Sequence, residues 1–377
     1  ETLSRQHNQR DFQTEYLSAR IELSGSVELA GLTHHLLIGA DASKFDFDKL
    51  WYRYRPTLED TRYAINMYNP VYGKAAPEGS LLFNSTEVQH SYGVYIQDQL
   101  DLTEQWKVQV GGRFDWFDQQ IDNHINQQQS KSDQSTFSPR VGLVYVYSDS
   151  LQYYTSYSEG FRPNSGYDSK GDAFEPEETT SFEAGIKFTT DSVSGSFTVF
   201  SAEKSNMLTT DLQAGVSTAL GEVTSDGIEL DLHGNITSNV LFDFAYTYTD
   251  AKTANDTVNP DWWVKLPKGS PLLNIPKHSA NAQVKRELND LIDLDATVGL
   301  AVQYVGERLG ETIDPTYYLP SYTLVNLFAK YNVTNDLSLQ FNVNNLLDKK
   351  YYSNSYSAIW TQPGEPVNYK LSLNYKF

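Results

Sequence analysis

The last nine residues, YKLSLNYKF, alternate with a period of two. Tyr369, Leu371, Leu373, Tyr375 and Phe377 share one face of an extended strand, and Lys370, Ser372, Asn374 and Lys376 share the other. A face of this kind must meet a second apolar sheet or hydrocarbon, while the wet face needs water or polar partners. The alternation recurs upstream. Strands are predicted from Thr14 through Tyr16 and Ile21 to Leu23, and from Leu36 and Ile38 toward Phe45, Phe47 and Trp51, with a turn bracketed by Ser24-Gly25 and Ala30-Gly31. Val88, Tyr92, Val94 and Ile96 then face one way, and after the turn Leu102 to Gln105 their partners are Val108, Val110, Phe114 and Trp116. The opposite face of that second strand holds Lys107, Gln109, Arg113 and Asp115, which cannot meet a dry core without partners but can line a wet lumen.

Further pairs turn at Ser148 to Ser150, Thr190 to Ser192, Gly234 to Asn239, Asn289-Asp290 and Thr334 to Asp336. The pattern predicts about fifteen strands, seven pairs closed by short turns and a last strand alone. The long connections fall near 52–84, 120–135, 162–178, 205–222, 252–277, 306–321 and 348–366, all on the rim opposite the short turns. That asymmetry is the one seen in outer-membrane barrels. Pairs such as Tyr145 and Tyr147, Tyr246 and Tyr248, and Trp51 and Tyr52 are expected to form interfacial girdles. The fold class is therefore all-β, a transmembrane antiparallel β-barrel. An odd strand count does not return both ends to the periplasm, so residues 1–377 are expected to be the C-terminal part of a larger barrel, or a chain cut during processing.

Composition agrees with strands: 13% of the 377 residues are aromatic and Met is only 2. A mean hydropathy of -0.50 and the lack of a long apolar run exclude helical membrane spans but leave a barrel open. Cys is 0, which excludes disulfides, zinc-thiolate sites and thiol nucleophiles. A net charge of -19 without a basic patch argues against nucleic acid as a partner. The opening ETLSRQHNQRDF shows no apolar leader core.

Several blocks, in one order, carry a family likeness: VYIQDQLDLTEQWKVQVGGRFDWFDQ (Val94 to Gln119), FSPRVGLVYVYSDSLQYYTSYSEGFRPNSG (Phe137 to Gly166), FEPEETTSFEAGIKF (Phe174 to Phe188), GIELDLHGNIT (Gly227 to Thr237), IPKHSA (Ile275 to Ala280) and NVNNLLDKKYY (Asn342 to Tyr352). Together they resemble the barrel of TonB-dependent siderophore receptors from about Ser91 onward, and MYNPVYG (Met67 to Gly73) resembles the ferrichrome or hydroxamate branch. The resemblance implies a barrel of about twenty-two strands closed by an N-terminal plug that carries the TonB-engaging sequence. Neither plug nor TonB sequence is found in these residues. It further implies a ferric siderophore as ligand, import driven by TonB, ExbB and ExbD through the plug, and no bond made or broken. Outer-membrane lipid and lipopolysaccharide are the expected surroundings, and a phage or toxin is an expected visitor to the loops.

A chelated iron needs no protein ligands, so neither a metal site nor a cofactor is expected. It needs an aromatic, hydrogen-bonding cup on the extracellular face. Trp116, Tyr317, Tyr318, Tyr356 and Trp360 are the first candidates, with Tyr63, Tyr68, Tyr72, Phe117, Tyr167, Trp262, Trp263 and Arg308 behind them; for each the competing role is girdle or loop packing. Lys107, Arg113, Asp115, Arg140, Glu229 and Asp231 are expected to hold the plug, line the path or simply solvate the lumen. His34-His35 lies beside a turn and reads as surface, and Glu175, Glu177 and Glu178 read as a solvated acidic run. No catalytic constellation is present, so an enzyme is not expected. The alternatives are a passive or substrate-specific channel, a receptor of the same mechanism for haem, a vitamin or a sugar, and a soluble carbohydrate-binding protein or hydrolase, which should carry a paired carboxylate.

Overall fold

The computed structural model describes residues 2–376 apart from 58, 165–173, 212–215, 260–262 and 293; the side chains of 210, 211 and 216–220 are also left undescribed. Fifteen strands form one antiparallel sheet in sequence order. They are β1 (His7–Leu29), β2 (Leu32–Tyr54), β3 (Ser80–Asp101), β4 (Trp106–Asn123), β5 (Gln128–Ser148), β6 (Leu151–Arg162), β7 (Glu177–Thr189), β8 (Val193–Asp211), β9 (Val216–Thr237), β10 (Val240–Thr253), β11 (His278–Glu287), β12 (Ala296–Val305), β13 (Tyr322–Asn332), β14 (Leu337–Asn344) and β15 (Asn368–Tyr375). Among the described residues β1 pairs only with β2, and β15 only with β14, so the sheet has two edges.

Register fixes the faces, because directly paired residues share a side. Ile38 pairs with Ile96, Val94 with Phe114, Tyr92 with Trp116, and Val110 with Val141. The apolar row continues through Phe197 and Leu230 to Leu300, Leu327 and Leu371. Most of these side chains are widely exposed, as an outward face without a protein neighbour must be. The other face is the concave one. A hollow of about 710 Å³ opens on it across β7 to β13, lined by Lys187, Ser196, Asp231, Asn281, Gln303 and Asn326 among others.

Two aromatic levels bound the outward band. The Trp106 and Tyr145 rings lie tilted at 4.6 Å next to the short turns, and those of Phe114 and Trp116 at 4.6 Å toward the other end. Trp106 and Trp116 lie ten positions apart on β4. That is about 34 Å of strand, or about 25 Å of height once tilted, the thickness of a barrel's apolar band. One pairing step above Tyr92 and Trp116, the outward face turns polar: His90 hydrogen-bonds Asp118 at 2.8 Å, and Lys44 pairs with Asp46 at 2.8 Å.

Strand lengths correct the predicted boundaries. β1 and β2 have 23 residues each, and β4 continues to Asn123 with β5 starting at Gln128. Crossing a bilayer takes only about 9–11 residues, so half of each long strand stands beyond the band. The expected loops at 120–135 and 205–222 are therefore largely hairpin arms, for polar residues pair as readily in water as apolar ones do against lipid. The turn expected to be bracketed by Ser24-Gly25 and Ala30-Gly31 is only Ala30-Gly31, both at positive φ (51° and 80°), while Ser24 and Gly25 stay in β1. Likewise the turn expected from Gly234 to Asn239 narrows to Ser238-Asn239, because β9 runs on to Thr237.

Candidate ligand-binding face

Above the band the phase of β2 inverts. Leu36 and Ile38 point outward, but Phe45, Phe47 and Trp51 occupy the opposite parity and face inward, with Lys44 and Asp46 taking the outer side. The reversal has a simple cause: beyond the lipid the outside is water, and the apolar residues turn to the vestibule. Trp51 is thus not the girdle residue the sequence suggested. It stacks on Phe83 at 5.4 Å, and its indole N–H donates to Asn8 Oδ1 at 3.0 Å. Phe12 meets Phe47 edge-on at 5.5 Å, and Phe45 lies 6.0 Å from Phe47.

Cations cover this aromatic wall. The Arg10 guanidinium lies 4.2 Å from the Trp51 ring centre and Arg53 6.0 Å from it, while Lys49 Nζ sits 5.1 Å from Phe83 and 5.5 Å from Phe47. None of the three cations has a carboxylate partner among the described residues. Ring quadrupoles hold them in place without neutralising them, so their charge is left for an anion. In a chain of net charge -19 this is a local inversion of sign.

The connection after β2 is pinned beside the wall. Asp60 accepts from Tyr54 Oη at 2.7 Å and from Arg62 Nη2 at 2.7 Å, which holds its carboxyl well below the usual carboxylate range. Arg5 donates to the Tyr63 carbonyl at 2.8 Å and lies 4.0 Å over the Tyr63 ring. Tyr68 and Tyr72 stand almost fully exposed.

At the far end of the sheet, two loops form one block. Tyr317 Oη shares a hydrogen bond with Thr361 Oγ1 at 2.6 Å, and its ring packs where a Cβ on Gly310 would sit, 2.6 Å away. Arg308, 3% exposed, donates to the carbonyls of Tyr352 (2.7 Å) and Ser353 (3.0 Å), and burial pushes its guanidinium down from its ordinary value. Asn274 and Ser355 exchange two hydrogen bonds of 2.6 and 3.0 Å, and Glu311 caps the Ala358 amide at 2.7 Å. Tyr318, Tyr356 and Trp360 remain partly exposed on this block, with the rings of Tyr356 and Trp360 5.7 Å apart. Four of the five first candidates are therefore brought together. The fifth, Trp116, belongs to the outward face, opposite Tyr92 and beside Phe114, because its parity is that of Val110 and Phe114. Phe117 faces inward and is buried; Trp263 is half exposed at φ 58°; Tyr167 and Trp262 lie outside the described residues, as does Phe377.

Lower on the inner face, Arg113 bridges Asp41 and Asp115, each at 2.6 Å, and Tyr95 donates to Glu22 at 2.6 Å. Arg140, Glu229 and Asp231 share this face by register. His34 bonds Asp98 at 2.6 Å, while His35, on the opposite side of the strand, bonds Ser26 at 2.8 Å. The two rings do not converge on a metal, and no cluster of His, Asp and Glu suited to a metal ion occurs among the described residues. The sequence reading did not include Phe12, Phe45, Phe47, Phe83, Arg10, Lys49 and Arg53 among its candidates. The sequence does carry a switch of apolar parity between Ile38 and Phe45, but it does not say which side of the switch faces inward.

Comparison with known proteins follows the same lines. The family described as TonB dependent receptor-like, beta-barrel, matches residues 2–346. The metal-pseudopaline receptor CntO of Pseudomonas aeruginosa is 33% identical over 387 residues, covering 100% of this chain and 53% of that receptor. The ferrioxamine B receptor of Salmonella typhimurium is 29% identical over 364 residues, covering 94% and 49%. The solved siderophore receptor PiuA from Acinetobacter baumannii superimposes with a TM-score of 0.84 at 23% identity, over 98% of this chain and 56% of that one, a likeness of fold. The chain spans about half the length of the curated relatives it matches.

Proposed function

The chain belongs to the TonB-dependent receptor family of β-barrels, and from that premise we propose that it forms much of the wall of an outer-membrane receptor that captures a metal-loaded siderophore from outside the cell. The observation that carries the reading is the cation-faced aromatic wall of Arg10, Lys49, Trp51, Arg53 and Phe83 on the inner side above the lipid band. Flat apolar rings with unneutralised cations suit a chelate whose ligand shell is partly aromatic or apolar and whose net charge is negative. The block holding Tyr317, Tyr318, Tyr356 and Trp360 would form a second side of the vestibule. The relatives' names, a ferrioxamine B receptor and a metal-pseudopaline receptor, support a chelated metal as the class of ligand.

Import then needs no covalent chemistry. In the whole receptor a plug outside these residues would occupy the lumen, and TonB with ExbB and ExbD would displace it using the proton-motive force. Unpaired inner charges such as Glu229 and Asp231 are suited to hold basic groups of that plug. The outward band would face membrane lipid, with lipopolysaccharide at its upper edge. The long hairpins also offer a landing surface to a phage or a protein toxin.

The test is a tryptophan-fluorescence titration of the full-length receptor in detergent with ferrioxamine B, ferrichrome, metal-loaded pseudopaline, haem and cobalamin. Saturable quenching by a siderophore complex, without response to haem or cobalamin, is the expected result. No saturation with any of them, together with steady conductance in a planar bilayer, would make the protein a passive channel.

A further inference from the structure

The inner wall changes character around the sheet. On β1 to β4 it carries Arg20, Glu22, Asp41, Arg113 and Asp115, tied to one another by ion pairs. On β7 to β9 it carries Glu183, Lys187, Glu229 and Asp231, none of which has an ion-pair partner among the described residues. From β10 to β13 the charges stop. Between the lower rim, marked by Asp243, Lys285 and Lys330, and the loops, the inward positions are Ala245, Thr247, Asn281, Ala301, Gln303 and Asn326 among others, all neutral. The 710 Å³ hollow extends over this arc, with Asp243 on its lining and Lys187 and Asp231 on its β7 to β9 side.

The two halves of the wall hold a lumenal segment differently. Hydrogen bonds to charged groups contribute more than neutral ones, and a buried charge stripped of its partner is strongly unfavourable. Contacts to amides, hydroxyls and methyls are instead replaced by water at little cost. Along the first arc a charged chelate would meet two arginines and three carboxylates already bound to one another, and along the second the unpaired acids Glu183, Glu229 and Asp231 would repel an anionic chelate and hold a cationic one. The neutral arc offers hydrogen bonds without trapping or repulsion.

We propose that the import path runs along the neutral wall of β10 to β13, opened by release of the plug from this arc while its contacts to β1 to β9 persist. The proposal rests on the receptor reading above. It identifies the surface by chemistry: an amide- and methyl-lined wall suited to a polar chelate of either sign.

Residues 1–377 contain no cysteine, so single reporters can be placed in them once any cysteine elsewhere in the full-length receptor is replaced by serine. Full-length receptors bearing Ala301→Cys on β12 or Ser43→Cys on β2, both inward, are expressed in cells and treated with a membrane-impermeant maleimide, with and without a proton uncoupler. Ferrioxamine B is supplied as ligand, or metal-loaded pseudopaline if wild type does not bind ferrioxamine B. Energised labelling at Ala301→Cys is expected to rise about tenfold over the uncoupled control, with Ser43→Cys unchanged. Label at Ala301→Cys should then stop uptake of the probe while leaving its surface binding intact. Energised labelling at Ser43→Cys equal to or faster than at Ala301→Cys would overturn the proposal, as would no energy-dependent change at either position in a receptor that still imports the probe. A wild-type receptor that binds none of the chelates in the fluorescence panel would instead bring down the receptor reading itself.

Discussion

Trp51 and Trp116 are both tryptophans near the top of a long strand, yet parity gives them opposite surroundings. Trp51 lies under Arg10 and against Phe83 inside; Trp116 lies with Phe114 and Tyr92 outside. Trp51→Ala in the full-length receptor should raise the Kd for its ferric chelate about tenfold, roughly 1.4 kcal/mol, whereas Trp116→Ala should leave it unchanged, as isothermal calorimetry would show. Asp60 supplies a pH dependence of defined sign. Arg62 and Tyr54 hold its carboxyl below the ordinary value, so the unfolded loop binds the extra proton first. The contribution of Asp60 to ordering residues 59–64 should be complete above about pH 4 and fade as pH falls further. Amide hydrogen-exchange protection across that segment, taken relative to the intrinsic rate at each pH, should be flat from neutral pH to about 5 and fall below 4, and Asp60→Asn should abolish the change.

At the scale of elements, strand packing depends on close approaches that no side chain longer than hydrogen allows. A Cβ on Gly299 of β12 would lie 2.1 Å from the Phe328 ring of β13, whereas one on Gly25 of the edge strand β1 would meet nothing within 4 Å. Gly299→Val should cost about 1–3 kcal/mol in urea unfolding followed by heat-modified gel mobility, and Gly25→Val should be close to neutral. The loop block is a second element, held by Arg308 together with the Tyr317–Thr361 and Glu311–Ala358 hydrogen bonds. Arg308 draws the 306–321 and 348–366 connections together through two carbonyls, and no carboxylate among the described residues compensates its charge. Arg308→Ala should therefore expose new protease sites between Tyr352 and Pro363 while the barrel itself stays folded, which limited proteolysis in detergent would detect.

At the scale of the molecule, the band between the Trp106 and Trp116 levels should be the part that meets lipid. Among single-tryptophan variants reconstituted with brominated lipids, Trp106 and Trp116 should be quenched, and Trp51 and Trp360 should not. The sequence by itself determined much of this. Alternation of period two identified antiparallel strands, the placement of short turns against long connections oriented them, and the ordered blocks from Val94 to Tyr352 identified the family, because these signals are local and written into consecutive residues. It also brought Tyr317, Tyr318, Tyr356 and Trp360 to one rim, since their loops follow neighbouring strands. Only the tertiary structure decided which face of a strand is inside once the environment changes along its length. Phe45, Phe47 and Trp51 are as apolar as Leu36 and Ile38, but the outside has become water at their height, so they turn inward under Arg10, Lys49 and Arg53. The division of the lumen into charged and neutral arcs was likewise invisible along the chain, because it exists only after register sets Asn281 beside Gln303 and Arg113 beside Asp41, partners that lie far apart in sequence.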